Sequence, residues 1–497
     1  MKGIVLAAGV GSRLRPITNE KPKCLVKTAG KPLLQYQLDA YKKAGITEVF
    51  IIVGYESSAI INYCKHIKDI NIHIVHNIDY ETTNNMYSFY LVSNMVKGDA
   101  FILNNADLGV DDTIIQRMID SDVSDLVAVD TSLYNSESMK VSINKDGFIS
   151  DISKKISEDN SYGCSIDFYK FSREAGEIFI DEITRIVELE KNLKDWTEVA
   201  MQRLFKAGRL MFKPLDISGI RWVEVDDFED LAVSDRCFSG FEEWYHRLKN
   251  FYFDLDGTIY VGGATLDGAI AAIERIKGRG QRVYFLSNNS SKSKAQYLKK
   301  LRSIGLRCEV SDLLLSTDSM IRFLKDEGVL SIFVLGTSGL IDDLCNHGFA
   351  IDEHNPEYVV IGYDTELTYS KLVKACRLIN AGTDYIATHC DNFCPSEYGP
   401  IPDAGALLQM IEITTSRKVK RIFGKPTVDM VCHHITESGV VPGECVMIGD
   451  RIHTDIRMAH SVGMRSVLVL SGETSRDMVE SMAKQPDLVL KSVADLL

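Results

Sequence analysis

The sequence predicts an α/β protein made of two doubly wound units, each a parallel sheet covered by helices. Three observations predict this. Apolar runs alternate with amphipathic stretches along the chain, which is the rhythm of strand–helix–strand units. The rhythm pauses near residue 235 and restarts at Phe251. The chain has 497 residues, more than one core usually holds at about 100–250 residues per domain.

The elements follow in order. Gly3–Ala8 reads as a strand, Leu33–Ala44 as a helix, and Val49–Val53 and Ala100–Asn104 as strands. The segment 236–250 carries Phe238, Phe241, Trp244 and Tyr245 and has no Pro-rich or Ser-rich run. It predicts a docked connecting helix between a unit at 1–235 and a unit at 251–497. The second unit opens with a strand at Phe251–Leu255, a helix around Gly268–Lys277 and a strand at Arg282–Leu286.

Composition narrows the function classes. Hydrophobic residues make up 45% and charged residues 25%, as in soluble globular proteins. A net charge of −13 argues against nonspecific nucleic-acid binding, since a phosphate backbone would be repelled. No run approaches the ~20 apolar residues of a membrane span, and no signal peptide is visible, so neither membrane insertion nor secretion is expected. Eleven cysteines lie scattered without a Cys-x-x-Cys pair, Cys390 and Cys394 being nearest. A reduced cytoplasmic protein is the simplest reading.

Two groups of motifs carry chemistry. In the first half a strand ends at Leu6 and feeds the run Leu6–Thr18 (LAAGVGSRLRPIT), followed by Lys21–Leu25 (KPKCL). Glycines let a backbone approach phosphate oxygens, and successive N–H groups form an anion nest. Leu6, Ala7, Ala8, Gly9, Gly11 and Ser12 are therefore candidate nucleotide-binding residues. Arg13 and Lys23 are candidate catalytic cations, since transfer onto a phosphate oxyanion with loss of pyrophosphate depends on charge neutralisation and alignment. In the second half Asp254 ends the apolar strand and Asp256 follows two residues later, before Gly257 and Thr258. One carboxylate can attack phosphorus while the other shuttles a proton. Ser287 and Asn288 follow a second apolar strand as candidate phosphate ligands. Lys425 can neutralise charge, and Asp450 and Asp455 lie in the run Gly449–Asp455 (GDRIHTD).

On these motifs the first half, about 1–235, resembles the sugar-phosphate nucleotidyltransferase superfamily, and within it the phosphocholine-type cytidylyltransferases of surface-polymer pathways. Gly30–Leu34, Gly45-Ile46, Ile51–Tyr55 and the run Asn84–Ser88 (NNMYS) join the resemblance. It implies a Rossmann-like nucleotidyltransferase fold, CTP as substrate and Asn85 and Ser88 beside the base. It also implies Mg²⁺ held by Asp107 in Leu103–Asp107 (LNNAD) and Asp226 in Trp222–Asp226 (WVEVD). Where a common family form has an earlier aspartate, this chain has Asn104 and Asn105. Asp226 and Asp227 can divide the roles of metal ligand and helix cap, and Asp226 is favoured as ligand. Tyr87, Tyr134, Tyr162, Trp196 and Trp222 are available to wall a cationic headgroup such as choline.

The second half resembles the haloacid dehalogenase superfamily, in its p-nitrophenylphosphatase and phosphoglycolate-phosphatase branch. Val334–Leu340, Val359–Asp364, Leu367–Tyr369 and Leu468–Thr474 extend the match. The resemblance implies core segments 251–309 and 419–497, an inserted α/β cap at 310–418, and phosphomonoester hydrolysis through an aspartyl-phosphate. Mg²⁺ is expected among Asp254, Asp256, Asp450 and Asp455. The family's Thr-Asn-x-Asp stands here as Thr388–Asp391 (THCD), and its Pro-Gly as Pro402-Asp403.

A bifunctional enzyme acting on small phosphorylated molecules is therefore expected, with homo-oligomerisation left open. The two halves would work against each other on one phosphate. Hydrolysis that makes a precursor for a later step is ranked first. Alternatives are a sugar-1-phosphate nucleotidyltransferase using another nucleotide beside a bisphosphate phosphatase, or a nucleotide sensor with one inactive half.

Overall fold

The computed structural model describes residues 1–262, 264–394 and 399–496. It divides into Met1–Ser239 and Gly240–Leu497. The stretch expected as one connecting helix over 236–250 holds the end of one helix, a short second helix and the first residue of a strand. A helix from Phe228 closes at Phe238, a short helix spans Phe241–Tyr245, and a strand begins at Asn250. Phe241, Trp244 and Tyr245 are buried with Phe251, so these aromatics belong to the core of the second unit.

In the first unit the strands Lys2–Ala7, Glu48–Val53, Asn71–His76 and Phe101–Asn105 form a continuous parallel run in the main sheet. Ile4, Val5, Ile51, Ile52 and Val53 are almost fully buried, as strands covered on both faces require. Beyond Phe101–Asn105 the sheet turns antiparallel through Gly163–Phe171, which the alternation alone did not predict. A separate two-stranded ribbon pairs Leu108–Val110 with Trp222–Glu224. Its register sets Glu224 opposite Leu108, and the Val225 N–H donates to the Asp107 carbonyl at 3.0 Å. Two carboxylates far apart in sequence are thereby joined at the end of the parallel sheet.

In the second unit a parallel sheet runs Leu313–Leu315, Arg282–Ser287, Asn250–Asp254, Cys445–Gly449, Arg465–Val469, Leu488–Leu490. Asp254, Ser287 and the loop after Gly449 all lie at its carboxyl edge, where open α/β sheets bind ligands. A second parallel sheet forms the cap from Ala350–Ile351, Ser331–Leu335, Tyr358–Ile361, Asp384–Ala387 and Arg421–Ile422. The expected cap limits of 310 and 418 shift accordingly. Leu313–Leu315 pairs with the core sheet, and Arg421–Ile422 completes the cap sheet.

Candidate active sites

The first site is an open cavity of about 780 Å³. Leu6, Ala7, Ala8, Gly9, Arg13, Lys23, Asn85, Ser88, Asp107 and Asp226 line it. Gly11 lies behind, with φ +64°. A Cβ there would stand 2.8 Å from the Lys23 Cβ, so glycine is what lets the loop fold over the lysine. The Thr18 hydroxyl donates to the Gly11 carbonyl at 2.8 Å and pins that loop. Ser12 opens the short turn Ser12–Leu14 and, like Gly11, is not among the residues that line the cavity.

The charges converge at the centre. Lys23 Nζ lies 2.9 Å from Asp107 Oδ2 and 2.5 Å from Asp226 Oδ1, and Arg13 Nη2 lies 2.6 Å from Asp226 Oδ2. Burial opposes the charge on Lys23, but Asp107 and Asp226 outweigh it and raise its pKa above the ordinary value. Burial also opposes charge on Asp226, and Lys23 and Arg13 reverse this, so its pKa is lowered. Asp227 caps the helix Phe228–Phe238, accepting from the Glu229 and Asp230 N–H groups, which leaves Asp226 free to face the cavity.

Glu224 completes a trio with Asp107 and Asp226, one ligand atom from each lying within 4.8 Å of the others. Burial, then Asp107 and Asp226, push Glu224 up to about 7. Asp107 Oδ1 is buried without a hydrogen-bond partner. An orphaned anionic oxygen in such a trio fits a hard divalent cation. Asn104 instead has a buried structural role, accepting from the Tyr41 hydroxyl at 2.5 Å and donating to Gln37 Oε1 at 2.9 Å. Asn85 and Ser88 are braced by neighbours: Asn85 Oδ1 accepts the Thr197 N–H at 3.0 Å, and Asn77 Nδ2 donates to Ser88 Oγ at 3.0 Å. Sequence reasoning missed Glu224 and Lys154, both of which line the cavity. Glu224 carried a signal, ending the strand Trp222–Glu224 two residues before Asp226 in the same acidic run.

The second site is tight, a cleft of about 40 Å³ lined by Asp254, Asp256, Ser287, Asn288, Asp391, Asp403, Lys425, Arg451 and others. Lys425 Nζ pairs with Asp254 Oδ1 and lies 2.7 Å from Asp455 Oδ1. Burial opposes the charge on Lys425, yet Asp254 and Asp455 carry its pKa above the ordinary value. Asp254, Asp450 and Asp455 form a buried trio. Burial, then Asp254 and Asp455, push Asp450 up to about 8.

This trio also fits a divalent cation. Gly257 and Gly472 make a cradle for Asp450, since a Cβ at either would collide with its carboxylate. The Glu473 N–H donates to Asp450 Oδ2 at 2.7 Å and the Arg451 N–H to Asp455 Oδ2 at 3.2 Å, which orients both carboxylates.

Asp256 lies outside the trio. Its carboxylate receives the Tyr260 hydroxyl at 3.4 Å, and burial raises its pKa. A raised pKa suits an acid that must hold a proton. Ser287 sits at the strand end and its hydroxyl accepts the Asn289 N–H at 3.2 Å. Asn288 braces the lysine loop, its Oδ1 accepting the Lys425 N–H at 2.7 Å and its Nδ2 donating to the Lys425 carbonyl at 2.9 Å. From the cap, Asp391 meets Arg451 at 3.3 Å, and buried His389 bonds Asp403 at 2.8 Å.

These two sites define a protein with a nucleotidyl transferase domain followed by a haloacid dehalogenase-type hydrolase domain. The Nucleotidyl transferase family model matches residues 2–232. The Haloacid dehalogenase-like hydrolase model matches 251–350, and the HAD-hydrolase-like model matches 422–496. Through its second half the chain belongs to the haloacid dehalogenase-like hydrolase family. That half is 35% identical over 246 residues to the sugar-phosphatase AraL of Bacillus subtilis, covering 49% of this chain and 90% of the relative. It is 30% identical over 254 residues to an acid sugar phosphatase of Staphylococcus aureus, covering 50% and 97%. A solved 4-nitrophenylphosphatase from Thermotoga maritima is 38% identical, covers 51% of this chain and 97% of its own, and superposes with a TM-score of 0.49. Among the described residues no helix is long and apolar enough to cross a membrane.

Proposed function

We propose that the first half transfers CMP from CTP to the phosphate or phosphonate of a small alcohol, with choline, aminoethyl and glycerol as headgroups, and releases pyrophosphate. The observation that carries this reading is the Lys23–Asp107–Asp226 cluster at the floor of a cavity large enough for a nucleotide and a second small molecule. Arg13 and Lys23 neutralise the phosphates and hold attacking and leaving oxygens in line. The NNMYS run at Asn84–Ser88 supports cytosine. Asp107, Glu224 and Asp226 would hold Mg²⁺, which supplies further charge neutralisation when bound.

The second half, on this reading, hydrolyses a small phosphomonoester. Asp254 attacks phosphorus, Lys425 balances the charge of the aspartyl-phosphate, and Asp256 protonates the leaving alcohol and later activates water. Asp254, Asp450 and Asp455 would hold the Mg²⁺ of this site. Likeness to two sugar phosphatases supports a small sugar phosphate as substrate. The two halves serve one biosynthetic route on different phosphates, the hydrolysis making a precursor.

Purified protein should release pyrophosphate from CTP with a panel of phosphorylated alcohols, and phosphate from p-nitrophenyl phosphate, both only with Mg²⁺. Turnover with UTP or dTTP and none with CTP would refute the base assignment.

A further inference from the structure

A groove of about 420 Å³ opens in the second unit between the helices Ser316–Asp326 and Asp429–Ser438, and it shares no lining residue with either site. These two helices stand at the crossings between core and cap. The first leaves the core strand Leu313–Leu315 and leads to the cap strand Ser331–Leu335. The second follows the cap strand Arg421–Ile422 and the Lys425 loop, and it leads back to the core strand Cys445–Gly449.

Packing divides the helices between cap and core. Met320, Ile321 and Leu324 of the first are buried with the cap residues Ile332, Val334 and Phe423. Met430, Val431 and Ile435 of the second are buried with the core residues Tyr252, Leu286 and Met447. One wall of the groove therefore belongs to the cap and the other to the core. A rotation of the cap on the core changes the spacing of the walls.

The groove presents cations to solvent in a chain whose net charge is −13. Arg322 and Lys325 stand one turn apart on the cap wall, both exposed, and neither makes an ion pair among the described residues. His433 and His434 face them from the core wall. The acids of the lining are Asp318, Asp326 and Glu437. Asp318 Oδ2 accepts from Lys294 Nζ and from the Leu315 N–H, both at 2.9 Å, and Glu437 Oε1 lies 2.9 Å from His433 Nε2. Two open cations thus stand against one open carboxylate, Asp326 at the helix end.

Both walls are tied to the phosphatase residues. The Tyr252 hydroxyl lies 2.9 Å from His434 Nδ1, and Tyr252 stands two residues before Asp254 on one strand. Ser316, which opens the cap helix, donates its hydroxyl to the carbonyl of Asn288 at 2.9 Å, and Asn288 holds the Lys425 loop. The cap is seated on the core in this arrangement, since Asp391 accepts from Asn288 Nδ2 at 3.2 Å and from Arg451 Nη1 at 3.3 Å. A ligand that fits the groove as it stands favours the seated cap over any other position.

We propose that this groove is an effector site for a small phosphate-bearing polyanion, which joins Arg322 and Lys325 to the histidines of the core wall and holds the cap seated. Pyrophosphate and a nucleoside triphosphate share that chemistry. A cap held seated retains product, so turnover slows while apparent substrate affinity rises. This effect on turnover rests on the phosphatase reading; the binding does not.

The test uses the full-length chain, with free Mg²⁺ held constant. Hydrolysis of p-nitrophenyl phosphate is followed against rising pyrophosphate or CTP, and kcat and KM should fall together. The double variant Arg322→Ala, Lys325→Ala should need about ten-fold more of either anion for the same effect, the loss of charge-assisted contacts. Both side chains are exposed, so the variant keeps its fold and its activity without effector. Whichever anion acts at lower concentration through these two residues identifies the source of the phosphate. A rise in KM alone, equal in both proteins, would mean competition at Asp254 and overturn the groove. Calorimetry of pyrophosphate and CTP binding to Asp254→Asn protein, with and without the double variant, reads the groove without turnover. Identical isotherms for both anions would overturn it. Binding lost in the variant, beside no hydrolysis by the wild-type chain, would uphold the groove and overturn the phosphatase reading.

Discussion

The two sites solve one electrostatic problem in opposite ways. Each sets a lysine among aspartates, yet Lys23 and Asp226 have side chains 14% and 30% exposed, whereas Lys425 and Asp455 are 3% and 0% exposed. The first cavity is about 780 Å³ and the second about 40 Å³. Transfer between two substrates needs room for both and for departing pyrophosphate, so its charges stay partly wet. Hydrolysis of one small ester works under a cap, where low dielectric strengthens each charge. Removing a charge should therefore cost more in the second site than in the first.

The largest effect expected is at Asp254. Asp254→Asn keeps the shape and removes the attacking charge, so p-nitrophenyl phosphate hydrolysis should fall to background. Nucleotidyl transfer by the same protein should be unchanged if the sites are separate. Persistent hydrolysis would sink the aspartyl-phosphate mechanism.

Lys425→Ala should come next, and as a loss of stability too. It leaves Asp254 and Asp455 buried without their cation, a defect of about 3–5 kcal/mol. The fall in Tm should be larger in EDTA than in excess Mg²⁺, because a bound cation would restore the balance. An equal fall in both conditions would mean that the trio does not bind Mg²⁺.

Lys23→Ala removes one charge-stabilising donor from the more open site. It should cost about 3 kcal/mol in kcat/KM for pyrophosphate release. It should also leave Tm nearly unchanged, since Asp107 and Asp226 can be rehydrated through the open cavity. A Tm loss matching that of Lys425→Ala would erase the contrast between the sites.

What the sequence made legible follows the same division. Strands such as Glu48–Val53 and Asn250–Asp254 were readable because unbroken apolar runs in a covered parallel sheet have no other use. The meeting of Asp254, Lys425, Asp450 and Asp455 was readable because each stands in a short, ordered motif. Asp167 and Glu198, which line the first cavity, were not, because only the pairing of Gly163–Phe171 with Phe101–Asn105 and a positive φ bring them there. The cap limits were missed because Leu313–Leu315 and Arg421–Ile422 are three- and two-residue strands, too short for periodicity to reveal which sheet they join.

The smallest effect tests the division of labour between two adjacent aspartates. Asp227 accepts the Glu229 and Asp230 N–H groups at 2.8 and 3.1 Å, while Asp230 Oδ2 accepts the Asp227 N–H at 3.1 Å. Losing that capping box in Asp227→Ala should cost about 1 kcal/mol of stability, read as a small drop in Tm. Nucleotidyl transfer at a temperature well below Tm should persist, because the ion pairs of Lys23 and Arg13 run to Asp107 and Asp226, and Asp227 adds only its more distant charge. Asp226→Asn should do the reverse, holding Tm and losing transfer, since it discharges the partner of both cations. If Asp227→Ala abolished transfer while Asp226→Asn left it intact, the cap and the ligand would have to be exchanged, and the open site would be centred one residue further along the chain.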